Sequence, residues 1–188
     1  MKHIATVALM LNLGVAGVYA QQRSVNMTFS GTAAPSTINL QHPGTANVEE
    51  SEAGNGTLGP FTFRIISAET APQQQPSTCS GPTHLYSVRV AGGGVLRFQD
   101  GSLLKVNLMQ GTDCIDLVAQ QARCTITFQV TGGTGRFKNA SGILTFTETV
   151  LPVLADAFNN PVFFADTGEL TGTVSGVAMG EDGQDERQ

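Results

Sequence analysis

Four polar side chains draw attention because strand geometry places them among apolar neighbours. Side chains alternate along a strand, so residues two apart share a face. In Ile143–Val150 this groups Glu148 with Leu144, Phe146 and Val150. Around Asp100-Gly101, a two-residue turn sets Val95 opposite Val106 and Arg97 opposite Leu104. Arg97 is then the single charge on a face of Val95, Leu104, Val106 and Leu108. In Leu85–Val90, Tyr86 lies with Val88 and Val90, and His84 has the same parity. Were these faces to line a cavity, Glu148, Arg97, Tyr86 and His84 would be its catalytic candidates. A carboxyl among apolar groups acquires a raised pKa and serves as acid or base, and a guanidinium orients a carboxylate or an enolate. The plainer alternative is that Glu148 and Arg97 pair at a rim or reach solvent near strand ends.

Other chemistries lack their residues. Gly172-Thr173-Val174-Ser175-Gly176 has no serine at the centre of a nucleophile elbow. Gly133-Thr134-Gly135-Arg136-Phe137-Lys138 lies between two runs of period 2, whereas a phosphate-binding glycine loop leads from a strand into a helix. No C-x-x-C or H-x-x-x-H spacing occurs, so no metal is expected. Cys79, Cys114 and Cys124 allow three single disulfides. Cys114–Cys124 is the preferred pair, being close in sequence on either side of a loop; Cys79 would be the leftover thiol.

The elements that must position these groups are strands. Eight runs qualify: Val25–Phe29, Leu58–Ile66, Leu85–Val90, Val95–Gln99, Ser102–Gln110, Cys124–Val130, Ile143–Val150 and Leu170–Ala178. Gly31–Gly56 and Ser67–Pro82 read as long polar connections, and Val153–Phe158 as one helical turn near the C-terminus. Eight antiparallel strands form a sandwich or a closed barrel. Gly172 and Gly176 in the last strand favour the barrel. The expected fold is all-β: an eight-stranded antiparallel barrel with long N-terminal loops.

Gly132-Gly133-Thr134-Gly135-Arg136-Phe137-Lys138-Asn139-Ala140-Ser141-Gly142 resembles the Gly-Gly-(Thr/Ser)-Gly-x-Phe-x-x-Ala-x-Gly signature of the allene oxide cyclase/dirigent barrel superfamily. Gly132, Gly133, Thr134, Gly135, Phe137, Ala140 and Gly142 all fit it, and Leu170–Gly176 looks like the closing strand of such a barrel. The likeness covers residues 85–178 and fades before them. It implies an apolar cavity, no cofactor and a dimer or trimer. Some members cyclise an unstable fatty-acid epoxide; others steer the coupling of phenoxy radicals. Their catalytic residues lie outside the motif, so none is transferred. Read physically, Gly132, Gly133, Gly135 and Gly142 are structural turn residues and Phe137 is an apolar plug beside the turn.

The ends of the chain suggest its address. Lys2 and His3, an apolar run from Ile4 to Val18, and Val18-Tyr19-Ala20 have the three parts of a secretory signal, cleaved before Gln21. Residues 21–179 would be a single domain and 180–188 an acidic, disordered tail. The chain has 10 Lys and Arg against 15 Asp and Glu, a formal charge of −5, with its cations scattered. Nucleic acid is therefore excluded as a partner, and no membrane partner is expected after cleavage. Asn26, Asn55 and Asn139 head glycosylation acceptor triplets. Two functions stay open. One is a secreted or periplasmic barrel binding a small apolar ligand, with or without cyclase, isomerase or stereochemical guidance; the other is a non-catalytic extracellular protein with a solid barrel.

Overall fold

The computed structural model describes residues 22–74, 79 and 83–178. Eight antiparallel strands close into a barrel in chain order. They are β1 (Arg23–Pro35), β2 (Thr45–Gly56), β3 (Phe61–Thr70), β4 (His84–Phe98), β5 (Leu103–Asp116), β6 (Gln121–Gly133), β7 (Ser141–Ala155) and β8 (Pro161–Ser175). β1 pairs with β2 on one side and β8 on the other, which removes any free edge. The expected signal segment and the tail at 180–188 lie outside the described residues.

The strand count agrees with the sequence reading, but two of its members do not. β2 occupies part of the supposed polar link, while Leu85–Val90 and Val95–Gln99 are halves of the single strand β4. β2 carries no apolar alternation because its inward residues include Glu50 and Glu52. β4 seemed divided because it contains a bulge. Ala68 pairs with Ala91 and Glu69 with Arg89, which leaves Val90 as an extra residue. Met109 is the matching extra residue in β5, between Leu108 and Gln110. Even-numbered Leu96, Phe98, Leu104 and Val106 consequently face inward at one end, and odd-numbered Ser87, Arg89 and Asp113 at the other.

The first end is solid. Phe29 stacks on Phe146 with ring centroids 4.5 Å apart, and Phe63 meets the edges of Phe128 and Phe146 at 5.8 and 6.0 Å. Phe137, fully buried on the 3-10 turn Gly135–Phe137, seals the bottom against Phe98 at 4.8 Å. The glycines of the motif make that turn feasible. Gly135 has φ 55°, and a Cβ on Gly133 would overlap the carbonyl oxygen of Leu103. Arg136 covers the outside of the plug, 4.9 and 4.7 Å from the rings of Phe98 and Phe137. Burying such large rings is the main favourable contribution to the fold.

Three expectations need correction. The disulfide joins Cys79 to Cys114, not Cys114 to Cys124, and Cys124 is free and buried. Cys124 pairs in register with inward-facing Asp113, so it lies inside the wall while its neighbour Cys114 points outward. No helical turn forms at Val153–Phe158; β7 runs to Ala155 and a tight turn follows. Asp156 shapes that turn by accepting hydrogen bonds from the backbone N–H groups of Phe158 and Asn160, both at 2.9 Å. The hairpin after β4 has a three-residue loop, Gln99-Asp100-Gly101, with Phe98 N–H donating to Ser102 O and Gly101 at φ 81°. Arg97 therefore pairs with Leu103 and is exposed on the outer face.

Candidate functional site

The open end of the barrel is built from rows of residues that run across the strands. One inward row reads Ser87, Asp113, Cys124 and Glu148 through β4, β5, β6 and β7. The next row toward the plug carries Arg89 opposite Gly111. Glycine is needed there, since a Cβ on Gly111 would come within 2.9 Å of the Arg89 Cβ. Arg89 thus lies directly above the aromatic plug, 4% exposed.

Every nitrogen of its guanidinium meets a carboxyl. Nε donates to Asp113 Oδ1 at 3.1 Å and lies 3.2 Å from Glu69 Oε1. Nη1 donates to Glu50 Oε1 and, at 3.4 Å, to Ser67 Oγ. Nη2 lies 3.1 Å from Asp113 Oδ1 and 3.4 Å from Glu148 Oε1. Ser87 Oγ donates to Asp113 Oδ2 at 3.0 Å. Burial alone would lower the Arg89 pKa, but Glu50, Asp113 and Glu69 around it more than reverse this and hold it cationic.

A second carboxyl pair lies beside this group. Glu52 of β2 and Asp166 of β8 are the two register partners of Gly31 in β1. A Cβ on Gly31 would overlap Glu52 Oε2, so the glycine provides the space in which the two acids meet. If both were ionised, none of their four oxygens would have a donor. A proton on Glu52 lets it donate to Asp166, and the two titrate as a unit.

One guanidinium cannot balance six acids: Glu50, Glu52, Glu69, Asp113, Glu148 and Asp166. The excess is held as neutral acid. Burial pushes Glu52 up to about 10 and Glu69 up to about 7, in the latter case against the pull of Arg89. Burial likewise raises Glu50, Glu148 and Asp166, with Glu50 adding to the rise at Glu148. The Cys124 thiol is raised well above its usual value by burial, then by Asp113 and Glu148, which leaves it a poor nucleophile.

Above this floor opens a cavity of about 990 Å³. Glu69, Arg89, Asp113, Cys124 and Glu148 form its base, and Ala33, Ile115, Val150, Pro152, Leu154 and Phe164 contribute to its walls. Glu148 Oε2 is buried and has no hydrogen-bond partner, the arrangement expected of a group held for a ligand. The β7–β8 hairpin extends past the mouth and exposes Val153, Leu154 and Phe158.

Of the four catalytic candidates, only Glu148 lies inside. Arg97 points outward because of the hairpin register, and Tyr86 and His84 face outward because the Val90 bulge reverses the parity of β4. His84 Nε2 lies 3.2 Å from Asp116 Oδ2, partly exposed. Cys79, His84 and Cys114 bring one donor atom each within 4.8 Å of one another, but the two sulfurs are bonded to each other. Arg89, Glu50, Glu52, Glu69 and Asp166 did not emerge from the sequence. The one signal available was Glu50-Ser51-Glu52, two acids at strand spacing.

Fold and site together define a closed antiparallel barrel, solid at one end and open at the other onto an apolar-walled cavity floored by buried carboxyls around one guanidinium. No protein-family model matches the chain, and no curated protein matches it.

Proposed function

We propose that this is a barrel that binds a small, largely apolar molecule through its open mouth, with Glu148 available as a proton donor at the base. One observation carries the reading: an apolar-walled cavity ends on a buried carboxyl with an unbonded oxygen. Its volume, about 990 Å³, lies at the upper end of the range for small-molecule sites. A solid barrel, which the structural alternative required, is present only in the phenylalanine half. A neutral carboxylic acid facing a bound ligand is suited to protonating a leaving oxygen or an enolate, so an isomerase or cyclase agrees with the site as well as simple binding does. The motif at Gly132–Gly142 and the closed eight-stranded barrel support kinship with the allene oxide cyclase/dirigent superfamily. The Cys79–Cys114 disulfide fits an oxidising compartment and supports export; among the described residues no helix is long and apolar enough to cross a membrane.

The test is binding of the neutral dye N-phenylnaphthylamine, followed by its fluorescence, together with native mass spectrometry for co-purified small molecules. Ala122→Phe, at the cavity lining, is expected to weaken dye binding at least about tenfold while the melting temperature changes little. Equal dye binding by both proteins would place the dye elsewhere and refute the reading.

A further inference from the structure

The charges at the cavity base favour one class of ligand. Arg89 is the only cation among the described residues lining the cavity, and Asp113, Glu50, Glu69 and Glu148 already occupy its three nitrogens. An anionic head group would meet Glu69, Asp113 and Glu148 with no guanidinium edge left to receive it. A neutral head supplies at most a single donor. Glu148 is among the residues that line this cavity; its side chain has no exposed area and its Oε2 has no hydrogen-bond partner. An ammonium group brings both the donors and the charge that this oxygen lacks. Resting on the binding function above, we propose that the cavity selects a protonated amine carried on an apolar body, with its ammonium on Glu148 and its body along the Ala33–Phe164 wall.

The selection is linked to a proton. Burial raises the Glu148 carboxyl well above its usual value and so favours its neutral form. The groups facing it are Arg89 of β4, Glu50 and Glu52 of β2, Asp113 of β5, Cys124 of β6 and Asp166 of β8; Glu69 of β3 reaches the same floor through Arg89. Only Arg89 among them is cationic, so an arriving ammonium is the group that allows Glu148 to ionise. Its proton passes to solvent, and affinity rises with pH until the amine itself deprotonates near about 10.

The experiment displaces N-phenylnaphthylamine with octylamine, octanol and octanoate, which share one chain and differ in head group. Octylamine is expected to compete at least about tenfold better than either of the others near neutral pH. Its affinity should increase from about pH 6 to about pH 8, with release of close to one proton, read from the dependence of calorimetric heat on buffer. Glu148→Gln should abolish the preference for amine over alcohol. Glu69→Gln, on the same floor, should reduce it less and provides a second variant should the first fold poorly. Equal or better competition by octanol or octanoate overturns the amine assignment while leaving a binding barrel intact. A Glu148→Gln protein that folds and keeps its amine preference also overturns it. Failure of the dye to bind at all refutes the binding function itself.

Discussion

Replacing Glu52 by glutamine tests whether the interior stores protonated acid. Glu52 is 2% exposed, and burial, followed by its hydrogen bond to Asp166, moves its pKa from 4.5 to about 10. Between those values the folded chain holds a proton that the unfolded chain releases. The resulting stabilisation is complete below 4.5 and is lost as pH rises toward about 10. One full proton gives a slope of about 1.4 kcal/mol per pH unit, or about 4 kcal/mol between about pH 5 and about pH 8. Glu52 and Asp166 titrate as a unit, so only part of this belongs to Glu52, and we take roughly half, about 2 kcal/mol. Glutamine keeps the shape and the donor of the neutral acid but does not titrate. Glu52→Gln should therefore match the parent near about pH 4.5 and exceed its stability by about 2 kcal/mol near about pH 8. Urea unfolding across that range, with an unchanged m-value, measures the difference directly. A difference that stays constant with pH, or a variant that becomes the less stable protein at high pH, refutes the argument.

Other substitutions probe the remaining parts of the structure. Arg89→Met removes the only cation within the acid group and should cost about 3–5 kcal/mol near neutral pH. That loss should shrink in acid, because Glu69, which lies beside the Arg89 Nε and is raised by burial to about 7, then takes up a proton; urea melts at two pH values show whether it does. Cys79→Ser opens a link spanning 35 residues and should cost about 4 kcal/mol in thermal unfolding. Thiol titration of the parent should find no reactive group until denaturant exposes Cys124, which is buried and free. Gly31→Ala drives a Cβ into the Glu52 carboxyl and should lower stability by about 1–3 kcal/mol, seen as a lower melting temperature.

The plug was legible in the sequence and most of the site was not, for one physical reason. Hydrophobic alternation reveals strands whose inner face is apolar, as in β7, where Leu144, Phe146 and Val150 led to Glu148. β2 has Glu50 and Glu52 where that pattern requires apolar residues, so a strand central to the site resembled a solvated link. Arg89 and Asp113 lie beyond two bulges, each of which reverses the parity read from the other end of its strand. At the Asp100-Gly101 hairpin the loop was taken as two residues rather than three, and that single step exchanged the faces of Arg97 and Leu96. The Cys114–Cys124 expectation failed similarly, because closeness in sequence ignores which side of the wall a sulfur occupies.

The bond between Cys79 and Cys114 also depends on the register of the barrel. Without the Val90 bulge, β4 would slide by one position and turn Val88 and Tyr86 inward, an arrangement whose apolar side chains would satisfy the interior without burying Arg89. The same slip in β5 would carry Cys114 inside, out of reach of Cys79 on the outer surface. The observed bond therefore fits the register in which Asp113 and Arg89 lie within the wall. A covalent link on the outer side of the wall, one residue from the cavity base, thus goes with the strand register in which Asp113 belongs to the acid floor.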